Sequence, residues 1–259
     1  MRDQHPTSTS PDSATCQLPS HVIYAFIDEP PFGAPGPDGK PVGYDYSVAE
    51  IILRRLGIER IDSRLVTFGE LIPGVVEGKW AINTGMFVTP GRSKQVIFSR
   101  PIWALIDGFV VQAGNPKRIC SYEDAARDRT VTLGVVEGNV QIESALASGI
   151  PEERLRRFKS QHEVVREVIA GNVDAYPGAA LAHRGFLTRL NAEGVEVVDI
   201  APGTQASLPL GAFSFGSQNL SLTRVFDREL KSFLGSPEHL LLAERHGLSR
   251  SEIDPILDQ

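Results

Sequence analysis

The chain is poor in cysteine, with two in 259 residues, so neither a disulfide framework nor a cysteine-built metal cage is available to it. It has no uninterrupted apolar run of about 20 residues, the length a membrane-spanning helix needs. It has no basic run either, and 26 basic against 32 acidic side chains give a formal net charge of −6. Neutralising a phosphate backbone takes clustered Lys and Arg, so nucleic acid is excluded as the partner. The metal-ligand spacing H-E-x-x-H is absent. What is present is a chain 41% hydrophobic, long enough for one large domain or two smaller units. Composition therefore implies a soluble globular protein acting on something small, with no cofactor and no metal.

Residues 1–20 are polar and rich in Ser, Thr and Pro, without an apolar core segment, and read as a disordered leader rather than an intact signal peptide. Both a cytosolic protein and an exported one whose signal has been removed fit this. Cys16 has no preceding apolar run of the kind a lipid anchor needs. Pairing of Cys16 with Cys120 is left open by their spacing.

From residue 21 the pattern alternates. HVIYAFID reads as a strand, and YSVAEIILRRLGI as a helix with Val48, Ile51, Ile52 and Leu56 at helical spacing and Gly57 placed to end it. IDSRLVTF, a short helix ending near Gly78, and AINTGMFV follow. This alternation predicts a parallel sheet wound by right-handed crossovers. A second series starts after GFVVQAGNP, with strands at VTLGVVEG, ERLRRFKS, VDAYPGAA and VEVVDI and helices between them. LPLGAFSFG returns to strand, and three helices close the chain. The expected architecture is α/β, with two lobes joined by two crossing strands near Asp107–Gln112 and Ser207–Phe213. The expected division is 1–20 leader, 21–108 plus 210–259 lobe I, and 109–209 lobe II. Ligands in such folds sit beyond the carboxyl ends of the strands, in the cleft between lobes.

Three strand-to-helix loops of the first series should gather at that cleft. They bring Asp28, Glu29 and Phe32, then Phe68, then Phe87, Thr89 and Arg92. Arg92 offers a planar fork of donors suited to a carboxylate, and Thr89 with nearby backbone N–H groups supports the same anion. Phenylalanine rings facing a cation contribute about 0.5–2 kcal/mol each. Such a site suits a small zwitterion whose positive charge is diffuse. From the second lobe, Gly138, Asn139, Val140 and Gln141 open a helix at the cleft. For Tyr176 both core packing and ligand contact stay open, and Trp103 is expected to pack the lobes or form a hinge. Catalysis is not expected. His21, His162, His183, His239 and His246 lie off the expected cleft loops, and Glu29 lacks a second titratable partner there.

The string FGELIPGVVEGKWAINTGMFVTPGRSKQVIFSRPIW resembles the signature of family 3 extracellular solute-binding proteins of ABC importers. The later pieces LGVVEGN, AGNVDAYPG and SPEHLLLAERHGLS are similar too, so the resemblance runs from about residue 21 to residue 255. EPPF, FGELIPG, GMFVTP and DAYPGAAL look most like the ectoine/hydroxyectoine-binding branch. The resemblance implies a periplasmic-binding-protein-like (type II) fold, a periplasmic monomer and an ABC permease as partner. It implies Arg92 as the carboxylate-binding arginine, with Thr89 in support. Glu29, Phe32, Phe68 and Phe87 fall where the branch places an acidic group and an aromatic box. Departures from the family pattern are Ala81, Gly91, Gln141 and Ala179. The last stands where a common Asp pairs with an α-ammonium, and leaving that group unpaired costs on the order of 1–3 kcal/mol. A standard α-amino acid is therefore disfavoured, and the expected ligand is ectoine or hydroxyectoine, compatible solutes, or a related cyclic or betaine-like solute. The alternatives are a polar amino acid, a dehydratase-like enzyme or a sensor module.

Overall fold

The computed structural model describes residues 18–200 and 208–257. Cys16, most of the expected leader, and Ser207 at the start of the second expected crossing lie outside the described residues. Cys120 is exposed and bonded to no other cysteine among them.

β1 (His21–Phe26) leads through a small hairpin, β2 (Ala34–Pro35) and β3 (Pro41–Val42), into α1 (Tyr44–Arg55). α1 buries Tyr44, Val48, Ile52 and Leu53 on one stripe, and Gly57 just beyond it takes a left-handed φ of 79°. β4 (Arg60–Leu65) is followed by a capping box between Thr67 and Glu70, which opens a 3-10 turn and then α2 (Leu71–Val76). β5 (Ile82–Phe87) comes next, and α3 (Pro90–Ser93) is a single turn with Pro at its start. β6 (Ile97–Phe98) and β7 (Trp103–Ala104) are two-residue strands. β8 (Asp107–Gln112) enters the second unit, which continues with α4 (Tyr122–Arg127), β9 (Leu133–Val136), α5 (Gln141–Ala147) and β10 (Leu155–Phe158). α6 (Gln161–Ile169), β11 (Ala175–Ala179), α7 (Ala180–Leu190) and β12 (Val195–Asp199) complete it. β13 (Leu210–Phe215) returns to the first sheet, and α8 (Leu220–Phe233), α9 (Pro237–Arg245) and α10 (Arg250–Leu257) close the chain.

The strands form two larger sheets, in the orders β4-β1-β5-β13-β6 and β10-β9-β11-β8-β12, with β7 paired to β13. The expectation of parallel winding holds for β4-β1-β5 and for β10-β9-β11. It does not extend to the whole of either sheet. β13 runs antiparallel to β5, β6 and β7, and β8 runs antiparallel to β11 and β12. The reason is topological: β8 and β13 carry the chain from one unit to the other. α4 was not expected either; six residues are too few to show a helical period.

Side chains alternate across each sheet, as the pleat requires. In β1, Val22, Tyr24 and Phe26 join one core while Ala25 joins the other. In β8, Phe109 and Val111 face one core and Val110 the opposite one. Both faces of both sheets are thus covered, and the polar work falls to the loops at the strand ends. In the parallel part of each sheet those loops share one rim, and the two rims face each other.

Candidate ligand-binding site

Two adjoining cavities lie between the units. The smaller, of about 30 Å³, is walled by Phe32, Phe68, Phe87 and Trp103, with Glu29 and Arg92 as its charged groups. Asn139, Val140, Gln141 and Ala179 complete it from the second unit. The larger, of about 340 Å³, shares Glu29, Phe68 and Asn139 with the first and extends past Thr67, Gln161, His162 and Tyr176.

Arg92 is placed by its own short helix. The Thr89 hydroxyl accepts from the Arg92 N–H at 3.2 Å, fixing the turn that projects the side chain inward. The guanidinium donates to the Phe87 carbonyl at 2.8 Å and, across the cleft, to the Gly138 carbonyl at 2.9 Å. Its carbon lies 5.2 Å from the centre of the Phe68 ring. Burial lowers its pKa to about 10, so it stays charged at neutral pH.

Glu29 sits in a tight loop after β1. Its N–H bonds to the Gly33 carbonyl at 2.7 Å, and its own carbonyl accepts from Phe32 and Gly33. Burial raises its carboxyl to about 8, reinforced by the negative neighbours Asp45 and Asp28 and opposed by Arg92. At pH 7 the group is held mostly protonated, poised to ionise when a cation arrives.

Trp103 belongs to the core of the first unit and also forms one wall of the smaller cavity. Expected as a lobe-packing or hinge residue, it lies against Phe32 and Phe87, with ring centres 5.3 Å away in each case. Its indole N–H donates to Asp45 at 3.1 Å, and Asp45 also accepts from the Thr84 hydroxyl and the Gly85 N–H. Burial pushes the Asp45 carboxyl up to about 7, while those three donors pull it down.

The larger cavity is framed by contacts between the units. Arg189 at the end of α7 holds Asp28 with two parallel bonds, 2.5 and 2.8 Å, and the Gln161 side-chain N–H donates to the Asp28 carbonyl at 2.6 Å. With its nitrogen so engaged, the Gln161 side-chain oxygen is buried and has no hydrogen-bond partner among the described residues; the Asn139 side-chain oxygen is in the same state. Both residues line this cavity.

Of the residues expected at the site, Glu29, Phe32, Phe68, Phe87, Arg92, Asn139, Val140 and Gln141 come together around the smaller cavity. Thr89 does not line either cavity and acts as the cap that orients Arg92. Gly138 contributes its carbonyl to Arg92. The Gln141 amide nitrogen is committed to Asp107 at 2.8 Å, because the burial of Asp107 demands donors. Tyr176 is 2% exposed and lines the larger cavity, so it is at once core and wall. His162, expected off the cleft loops, is on helix α6 as its second residue and yet lines the larger cavity. Glu29 likewise has titratable company in the carboxyls of Asp45 and Asp28. The signal for the α6 residues was present in the sequence. Ser160 is an N-cap directly after a strand, which marks a second loop on the same rim.

Residues 22–245 match the family of bacterial extracellular solute-binding proteins, family 3. A probable amino-acid ABC transporter periplasmic-binding protein of Sinorhizobium fredii is 28% identical over 246 residues, spanning 92% of this chain and 81% of that protein. The octopine-binding periplasmic protein of Rhizobium meliloti is 25% identical over 170 residues, 56% of each chain. Among solved structures, EhuB in complex with hydroxyectoine superposes with a TM-score of 0.81 at 28% identity, covering 92% of this chain and 94% of its own. An ancestral amino-acid-binding protein, a precursor of cyclohexadienyl dehydratase, gives a TM-score of 0.74 at 25% identity and covers 88% and 95%. The shared architecture is the two-lobed type II periplasmic-binding-protein fold.

Proposed function

The chain belongs to the bacterial extracellular solute-binding proteins of family 3, and we propose that it captures a compact zwitterion with a delocalised cation, ectoine or hydroxyectoine, for the permease of an ABC importer. One observation carries this: a charged guanidinium and a titratable carboxyl face a single cavity walled by aromatic rings. Arg92 takes the ligand carboxylate with the donors its backbone bonds leave free. Glu29 accepts N–H bonds from the cationic ring, and Phe32, Phe68 and Phe87 face its delocalised charge. Because the two cavities share Glu29, Phe68 and Asn139, a bound solute reaches from one into the other. Micromolar binding requires about 8 kcal/mol, which one charge-assisted clamp, ring contacts and apolar burial supply after association costs.

In this reading residues 21–108 with 210–259 form one lobe and 109–209 the other, closing as a monomer in the periplasm. Among the described residues no helix is long and apolar enough to cross a membrane. The bound solute is released unchanged, which mass spectrometry after prolonged incubation checks. The EhuB likeness supports ectoine. A second reading, a polar amino acid, is favoured by the larger cavity with its two unpartnered amide oxygens and by the Sinorhizobium relative. Calorimetric titration with ectoine, hydroxyectoine, L-arginine and L-glutamine decides between them. Micromolar heats for ectoine alone support the first reading, and heats for an amino acid alone replace it with the second.

A further inference from the structure

Trp103 is one of two tryptophans in the chain, and its ring is fixed at both ends. The N–H end is bound by Asp45, which is itself anchored by Thr84 and Gly85. The benzo end rests on β13, where a Cβ added at Gly211 would come within 1.9 Å of Cζ3. A Cβ at Gly85 would come within 3.0 Å of the indole nitrogen and 2.8 Å of the Asp45 carboxylate. Two strands therefore give up side chains at the places where this indole and its partner lie. Its remaining edges meet Phe32 and Phe87.

We propose that Trp103 is a specificity-determining residue that sets the size limit of the aromatic box, with Asp45 as its positioning residue. The inference rests on the reading that the box takes a small zwitterion. The cavity beside the indole is about 30 Å³, little more than the room one water or two require. A solute seated there cannot carry a long substituent toward Trp103. The indole also backs both Phe32 and Phe87, so the two rings cannot part to admit one. The class selected is a compact ring or a quaternary ammonium; the class rejected is an α-amino acid whose side chain would point at β7. A tryptophan that merely filled the core would leave selectivity and ligand-dependent fluorescence untouched.

The test uses the full chain with Trp80→Phe, which makes Trp103 the sole indole. Ectoine is titrated while emission and heat are followed, and L-arginine and L-glutamine are titrated in parallel. The expected results are a saturable change in Trp103 emission with ectoine, and tenfold or greater weakening of ectoine by Trp103→Phe. The same substitution raises affinity for the longer amino acids threefold or more. Asp45→Asn keeps an acceptor for either the indole N–H or the Thr84 and Gly85 donors but not for both, so it falls between the parent and Asp45→Ala, which follows Trp103→Phe. Near-ultraviolet circular dichroism and Tm show that each variant is folded, and Trp103→Tyr replaces Trp103→Phe if that one is not. Ectoine binding with silent Trp103 emission and unchanged selectivity in the variant overturns this inference and leaves the proposed function standing. Tighter binding of L-arginine or L-glutamine than of ectoine by the parent protein overturns the size limit and the ectoine reading together. Absence of binding to all three has the same effect.

Discussion

Arg189 and Asp28 face each other across the mouth of the cleft and form two parallel hydrogen bonds, 2.5 and 2.8 Å. Asp28 follows β1 of the first sheet, and Arg189 lies at the end of α7 on the second. Beside this pair Gly185 touches the Pro30 backbone so closely that an added Cβ would lie 2.6 Å from the carbonyl oxygen. At the mouth of the cleft the two units thus meet through a charged pair and a bare backbone contact, in addition to the Arg92–Gly138 bond within the box.

Gly185→Ala is expected to hold the units slightly apart. The obstructing atoms are backbone and cannot rotate away, so ligand affinity falls about tenfold, near 1.4 kcal/mol, while Tm changes little. Calorimetry and small-angle scattering with and without ligand check both parts.

Arg189→Ala should act more mildly. The paired side chains are 35% and 26% exposed, so screening limits the pair to about 1 kcal/mol or less. Stopped-flow measurement should find ligand dissociation faster by about threefold to fivefold at low salt, with the difference shrinking as ionic strength rises.

Arg92→Ala removes the proposed carboxylate clamp together with the bond to Gly138, and is expected to cost about 2–4 kcal/mol of binding, a rise in Kd of about 30- to 1000-fold. Arg92→Lys should not restore it, because a single ammonium cannot replace the planar fork that spans Phe87, Gly138 and a ligand. Unchanged affinity in the alanine variant would place the carboxylate elsewhere.

Glu29 should release a proton when a cationic solute binds. Its carboxyl is raised to about 8 by burial, so at pH 7 the ligand-free protein holds the proton and the cation drives it off. Titrations at pH 7 in buffers of different ionisation enthalpy should report release approaching one proton per ligand, falling toward zero by pH 9. The raised value also means that this residue lowers stability as pH climbs from about 4.5 to 8. Glu29→Gln should therefore raise the Tm of the ligand-free protein at pH 8 while weakening binding.

His239 predicts acid sensitivity. Its Nδ1 accepts from the Gly235 N–H at 3.0 Å, so the proton resides on Nε2, which donates to the Tyr44 hydroxyl at 2.7 Å; that hydroxyl donates in turn to the Ile102 carbonyl. A second proton would face the Gly235 N–H, and burial lowers the pKa to about 4. The neutral form is favoured in the folded state, so stability is full above the unfolded value near 6.5. It is lost as pH falls from there to about 4, by up to about 3 kcal/mol. Urea unfolding across this range should show the slope, and His239→Gln should flatten it.

Much of this protein could be read along the chain. The alternation of strand and helix is written in local periodicity and caps: Val164, Val165 and Val168 mark the buried face of α6, and Ser160 marks its start. The gathering of Glu29, Phe32, Phe68, Phe87 and Arg92 follows from the rule that parallel strands present their loops on one rim. The antiparallel entry of β13 and β8 was not legible, because pairing partners far apart in sequence leave no local period. Trp103 packs the first unit as expected, but its place in the cavity wall was not legible for the same reason. Its neighbour Ala104 and its two-residue strand say nothing of Asp45, Gly85 or Gly211, each of which is brought to it by a different strand or helix. His162 and Gln161 reach the cleft only because β10 lies parallel to β9 at the edge of the second sheet.

The sequence by itself determined the two α/β units, the family pattern, and the charged and aromatic side chains available at the strand ends. These are properties of hydrophobic spacing, caps and residue type, all of them local. Tertiary structure decided which of those groups share a cavity and which donors are already spent. It also decided that burial would hold Glu29 near neutrality and lock Trp103 into the wall. Burial, electrostatic proximity and the room left by an absent Cβ arise only when distant segments meet, and no single stretch of sequence contains them.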